Sequence, residues 1–145
     1  MSRPPRLAGF TLLEMLVVLV IIGLIASLVG PRLFSRVDAS KVQVAETQAR
    51  MLRGAVESYR LEVGGLPPED QGLDALVTQP ASEPQRSRWR GPYLDEAVPL
   101  DPWNNPYVYS IPGADGMPFA LYSLGADGKP GGEGNDADVG FLPAR

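Results

Sequence analysis

The chain has no cysteine and no histidine among its 145 residues. Without cysteine there is no disulfide, no thiolate nucleophile and no lipid-bearing thiol. Without histidine the usual general base and the usual transition-metal ligand are missing. Ser-His-Asp and Cys-His arrangements are therefore impossible. No G-x-x-x-x-G-K-[ST] or G-x-S-x-G segment occurs. Paired carboxylates could hydrolyse glycosides, but no two acids sit on elements that would set their separation. The chain reads as a non-enzyme. Basic residues are also outnumbered, with a net charge of −4. That balance argues against nucleic acid as a partner.

Charge is nearly absent from one long stretch. Between Leu7 and Pro31 the only ionisable side chain is Glu14. Phe10 to Gly30 would span roughly 30 Å as a helix, the thickness of a bilayer core. A lone acid there is costly, so it needs a partner or a function. A secretory signal would carry a small-residue cleavage site after its apolar part. Leu24 to Gly30 offers none that convinces. A plain membrane anchor has the same hydropathy but gives Gly9, Phe10 and Glu14 no purpose. Arg3 and Arg6 precede the stretch, and Arg32, Arg36 and Lys41 follow it. Charge alone therefore leaves the topology open.

Proline is absent from Arg32 to Val63, and glycine occurs there once, at Gly54. Ala45, Ala49, Leu52, Val56, Tyr59 and Val63 recur at helical spacing and predict one buried stripe. Glu46–Arg50 and Arg53–Glu57 are i,i+4 pairs for the solvent side. Gly64-Gly65 and Pro67-Pro68 should end the helix. One element of about 50 residues follows, apolar all round in its first half and amphipathic in its second. An all-round apolar helix must be enclosed by lipid or protein. Pro31 at the junction predicts a kink or local unwinding.

Most prolines and glycines lie beyond residue 63, so loops should dominate there. Gly72 to Val77 suggests a helical turn or two. Tyr107–Ile111 and Phe119–Ser123 are the clear strand candidates, joined through Pro112 to Gly116 as a hairpin. The expected fold is α+β. A small antiparallel sheet should lie on the Ala45 stripe, packing Tyr107, Tyr109, Phe119 and Leu121 against it. One glycine-rich tail gathers Asp127, Glu133, Asp136 and Asp138. Carboxylates on a flexible backbone suit a hard cation. The tail fails as an EF-hand, because Lys129 and Gly131 occupy acid positions. As a calcium-binding β-helix repeat it lacks stacked copies. As a dinucleotide fingerprint it lacks the flanking strand and helix. A solvated, glycine-rich tail is the plain alternative.

Two resemblances use these features. The basic leader, then Gly9, Phe10 and Glu14, resembles the class III prepilin signal. That resemblance implies cleavage after Gly9 by a prepilin peptidase and methylation of the new amine on Phe10. Leu66-Pro67-Pro68, Gln71-Gly72-Leu73, Gly91-Pro92-Tyr93-Leu94, Asp101 to Tyr107 and Leu124 to Gly128 resemble, in order, the major pseudopilins of the type II secretion system. This family lies within the type IV pilin-like superfamily. The resemblance implies a leader at 1–9, a transmembrane or filament-core helix at 10–31, and a periplasmic domain at 32–145. It implies a single-pass subunit of the inner membrane that polymerises into a periplasmic pseudopilus and drives export of folded proteins. Glu14 and Pro31 would serve assembly. The implied partners are other copies of the chain, minor pseudopilins, the prepilin peptidase, the inner-membrane assembly platform and the lipid bilayer. The implied cofactor is calcium, held by the Asp127, Asp136 and Asp138 side chains and the Leu124 and Lys129 carbonyls. The chain departs from the family at Asn104, where glycine is usual, and at Phe141, where tryptophan is common. Longer spacing between the acids leaves open whether Asp136 or another oxygen completes the set. The alternatives are a type IV pilin or minor pseudopilin and, more remotely, a signal-anchored periplasmic binding module.

Overall fold

A computed structural model of the chain describes residues 9–144; the basic leader with Arg3 and Arg6 lies outside them. Helix α1 covers Leu12–Val63. The chain divides into two compact units between Val37 and Asp38.

In the first unit the helix begins behind Thr11. Its apolar side chains from Leu12 to Val29 are exposed, and none of its most apolar window is buried. By length and composition this part is able to cross a membrane. The hydroxyl of Ser27 donates to the Leu24 carbonyl at 2.8 Å, so this polar group is satisfied within the helix. The helix continues unbroken through Pro31, so the local unwinding expected there does not occur.

In the second unit the predicted stripe is the floor of the core. Ala45, Ala49, Leu52, Val56, Tyr59 and Val63 are buried. Val63 is the last helical residue, and Gly64 follows at φ 87° with its N–H donating to the Arg60 carbonyl. A residue in the left-handed region ends the helix, and glycine adopts it without a Cβ penalty. Pro67 is buried behind this turn, and its carbonyl accepts the Tyr109 hydroxyl at 2.9 Å. A 3₁₀ turn, Gly72–Leu76, then buries Leu73, Ala75 and Leu76. A one-turn helix, α2 (Gln85–Arg88), was not legible in the sequence. The carbonyls of Ala75 and Leu76 hold the returning chain by accepting Trp89 Nε1 and the Tyr93 N–H, at 2.9 and 2.7 Å.

Three antiparallel strands form the sheet, in the order β1 (Val108–Ser110), β2 (Ala120–Ser123), β3 (Val139–Phe141). Val108 pairs with Tyr122, and Leu121 pairs with Phe141. All four β2 residues are buried, as suits a central strand. Tyr107, Phe119 and Leu121 enter the core cluster, and Tyr109 packs against it half-buried. The Tyr107 hydroxyl contacts the helix directly, 3.2 Å from the Ala45 carbonyl and 2.8 Å from Gln48 Oε1. Burial raises the Tyr107 phenol above its ordinary pKa, with a smaller push from Asp101.

Strand β3 was missed in the sequence because it is short and carries Gly140. The structure explains the glycine. A Cβ there would lie 2.7 Å from the Leu121 carbonyl oxygen and 3.3 Å from the Ala49 Cβ. The helix and the sheet meet at that point, and only a hydrogen fits between them. One expected ion pair is also replaced. Glu46 and Arg50 pair at 3.0 Å as anticipated, but Arg53 does not pair with Glu57. Arg53 stacks over the Phe141 ring at 4.4 Å, and Glu57 turns to Arg60 at 3.7 Å. An exposed i,i+4 pair contributes little, and β3 offers Arg53 an aromatic face instead.

Leu52 is wholly buried, whereas Leu61 is 85% exposed on the same helix. Leu52→Ala should cost about 2–5 kcal/mol of stability. Leu61→Ala should stay within about 0.5 kcal/mol of the parent. Urea unfolding of the detergent-solubilised chain measures both, and equal losses would contradict the buried stripe.

Candidate functional site

Two regions carry the candidate residues that the sequence singles out. The first is the start of α1. Gly9 and Phe10 lie just outside the helix and both are exposed, with open space around the Gly9 Cα. Glu14 is held by a reciprocal pair of hydrogen bonds. The Thr11 N–H donates to Glu14 Oε2 at 2.8 Å, and the Glu14 N–H donates to Thr11 Oγ1 at 3.2 Å. This is a capping box, with Thr11 as N-cap and Glu14 three residues on. The carboxylate also sits at the positive end of the helix dipole. Its cost within an apolar stretch is therefore partly offset inside one copy of the chain. The sequence signal was present, since Thr-Leu-Leu-Glu is the capping pattern before an apolar run. Pro31, the other residue expected to serve assembly, is exposed.

The second region is the turn-rich tail after β2. It closes on itself through its glycines. Gly125 sits at φ 68°, and a Cβ there would come within 2.8 Å of the Asn135 and Ala137 carbonyl oxygens. The Ala126 N–H donates to the Asn135 carbonyl at 2.8 Å. Gly132 presses equally close to the Asp136 backbone. A second 3₁₀ turn, Gly134–Asp136, delivers the chain into β3. Residues 124–129 are thus brought against residues 135–138.

The candidate metal residues take different environments within this fold. Asp127 is exposed, and its Oδ1 accepts the Lys129 N–H at 3.0 Å. Lys129 and Asp136 are exposed, and Leu124 is half-buried. Asp138 Oδ2 accepts the Gly131 N–H at 2.9 Å. Its Oδ1 is shielded from water yet has no hydrogen-bond partner. Burial raises the nearby Tyr122 phenol above its ordinary pKa, and the Asp138 carboxylate adds to the rise. Among the described residues, no three acids gather closely enough to form a metal cluster. An unpartnered, shielded carboxylate oxygen is unfavourable. A cation would satisfy it, and side-chain and carbonyl oxygens of the closed turn are the donors calcium prefers. The donor type therefore suits calcium, although the structure does not draw the three carboxylates into one cluster.

Behind the loop lies a residue that sequence reasoning did not single out for the site. Asp101 is buried, with 4% exposure. Its Oδ1 accepts the N–H groups of Trp103 and Asn105 at 3.0 and 2.8 Å. Its Oδ2 accepts a short hydrogen bond from the Ser123 hydroxyl. Asn104 stands in this turn at φ 72°. Asparagine tolerates the left-handed region better than most side chains. The glycine that the resemblance puts at this position would meet the same demand.

Comparison with known proteins agrees with this architecture. Residues 32–141 match the family model of type II secretion system protein G, and residues 5–30 match the prokaryotic N-terminal methylation motif. The chain is 48% identical over 133 residues to the type II secretion system core protein G of Pseudomonas aeruginosa, covering 92% of this chain and 93% of that one. It is 42% identical over 140 residues to the core protein G of Vibrio cholerae, covering 97% and 94%. Its fold matches the crystal structure of the major pseudopilin from the type 2 secretion system of enterohaemorrhagic Escherichia coli. That match has a TM-score of 0.62 at 30% identity, covering 75% of this chain and 92% of the other. The chain belongs to the type II secretion system protein G family, that of the major pseudopilin.

Proposed function

We propose that the chain is a structural subunit, held in the inner membrane by the first part of α1, which polymerises into a periplasmic pseudopilus after processing at Gly9. The observation that carries this reading is the exposed apolar half of α1, which begins at Leu12 just past the Gly9–Phe10 bond and is capped by the Thr11–Glu14 pair. Lipid and the helices of neighbouring copies are equivalent solvents for such a surface. A subunit moving from bilayer to filament exposes nothing to water if other copies cover the same side chains. The chain has no P-loop sequence. The work of extraction falls to the inner-membrane assembly platform, and minor pseudopilins join the same filament.

Gly9 suits a peptidase because the absence of a side chain lets its backbone approach closely. The prepilin peptidase cuts after it and the Phe10 amine is methylated, keeping its positive charge. Gly9→Val should leave the full-length form in the membrane. Intact-mass measurement of the wild-type product decides the point. A mature chain starting anywhere but Phe10 would remove the basis of the reading.

The Phe10 amine of one copy and the Glu14 carboxylate of its neighbour neutralise each other in the filament. A paired buried charge is tolerable where a lone one is not. Glu14→Gln separates this role from the cap, since glutamine keeps the capping box but not the charge. Both Glu14→Gln and Glu14→Ala should insert and be cut, yet fail to assemble. Filaments of normal yield from the glutamine variant would reduce Glu14 to a helix cap.

Calcium binds the closed tail through Asp127, Asp138 and Asp136 or another oxygen, together with the Leu124 and Lys129 carbonyls. The ion would draw in acids that repel one another without it. Affinities of roughly 10⁻⁴ to 10⁻³ M suit an extracytoplasmic module. Calcium at about ten times Kd should then stabilise the folded unit by about 1.4 kcal/mol, raising Tm by several degrees over chelator. Magnesium should do much less, because it demands a smaller octahedral cage. Thermal melting of the detergent-solubilised chain tests this. Asp138→Ala should abolish the calcium response, and an undiminished response would clear Asp138 of the role.

A further inference from the structure

Asp101, Asn105 and Ser123 form a set of contacts that contains none of the assigned ligands, yet it reaches the backbone between them. The Asp101 N–H donates to the Asn105 carbonyl at 2.9 Å, and the Asn104 N–H donates to the Asp101 carbonyl at 2.9 Å. With two further N–H groups on its carboxylate, Asp101 closes residues 101–105 into one rigid turn. Two side chains extend from this arrangement to Gly125. The Asn105 Nδ2 donates to the Gly125 carbonyl at 3.0 Å. The Ser123 Oγ, which donates to Asp101, accepts the Gly125 N–H at 3.0 Å. Both polar groups of Gly125 are therefore held. The Asn105 amide also lies against Gly128, where a Cβ would stand 3.6 Å from Oδ1.

Gly125 and Gly128 lie within the arc that runs from Leu124 to Lys129. The same Gly125 is in close backbone contact with residues 135–137. Holding this one residue thus sets the two halves of the tail against each other.

Resting on the calcium reading above, we infer that Asn105 and Ser123, held by the buried Asp101 carboxylate, are positioning residues that set the calcium affinity of the tail without ligating the ion. The physical reason is preorganisation. A loop already arranged in its bound geometry loses less conformational freedom on binding than one that must be ordered first. The hydrogen bonds to Gly125 connect the 101–105 turn to the loop at short range, where the sequence separation is 20 residues. Asn105→Ala removes one of these bonds while leaving its backbone donation to Asp101 in place. Ser123→Ala removes the other and provides an independent variant.

The test is calorimetric titration of the detergent-solubilised full chain with calcium chloride, alongside melting in chelator. Leu76→Val, a trimming of the buried core in the Gly72–Leu76 turn and outside the tail, serves as a stability control. Asn105→Ala and Ser123→Ala should each weaken calcium binding about tenfold or more. Asn105→Asp should weaken it similarly, because a carboxylate cannot donate to the Gly125 carbonyl. Leu76→Val should lower the chelator Tm and keep the parental Kd. Parental affinity in the Asn105 and Ser123 variants would overturn the positioning role while leaving calcium binding intact. Equal weakening by Leu76→Val would also overturn it, since general stability would then explain the loss. A parent chain that takes up no calcium would refute the calcium reading itself, and the positioning role with it.

Discussion

The folded unit depends on how closely α1 lets other backbone approach. Its buried stripe places two alanines, Ala45 and Ala49, where larger residues would hold the sheet away. The Ala45 carbonyl is near enough to accept the Tyr107 hydroxyl, and Ala49 is near enough that β3 needs glycine at 140. Larger side chains, Leu52, Val56 and Tyr59, fill the space beside them. Dense interiors tolerate little change in volume, so the small residues on one element dictate small residues on the other. The position of β3 follows from that contact, and the tail that precedes β3 is placed by it.

The tail is accordingly a structured connection between β2 and β3. Its start is tied by Ser123 and Asn105 to the Asp101 turn, and its end is tied by β3 to the helix. Glycines at 125 and 132 let the two halves touch backbone to backbone. The acids are carried on this frame and contribute little to its closure. One oxygen of Asp138 takes part by accepting the Gly131 N–H, and the other is left shielded and unpartnered.

The two units of the chain dispose their apolar side chains in opposite ways. In the second unit apolar side chains turn inward and the surface is charged. In the first, apolar side chains point outward on every side, so nothing within that unit buries them. Glu14 belongs to this apolar unit, and its capping box shows how a charge is tolerated there by a single copy. The cap occupies one oxygen of the Glu14 carboxylate, which accepts the Thr11 N–H.

Much of this was legible in the sequence wherever the cause is local. The stripe from Ala45 to Val63, the stop at Gly64, the apolar run and the strand pair around Tyr109 and Leu121 all follow from periodicity and backbone preference within a few residues. The capping box at Thr11 and Glu14 was equally local, although its pattern was not read as a cap. Other features depend on residues far apart in the chain. Gly140 reads as a loop glycine until Leu121 and Ala49 are placed beside it. Arg53 reads as the partner of Glu57 until Phe141 arrives. Asp101 reads as a turn acid until Ser123 meets it. By itself the sequence determined the long helix, the apolar run and where the chain must turn after it, because those are set by neighbours along the chain. Only the tertiary structure decided β3, the choice of partners and the frame of the tail, because packing and hydrogen bonding across the fold select among options that local chemistry leaves equal.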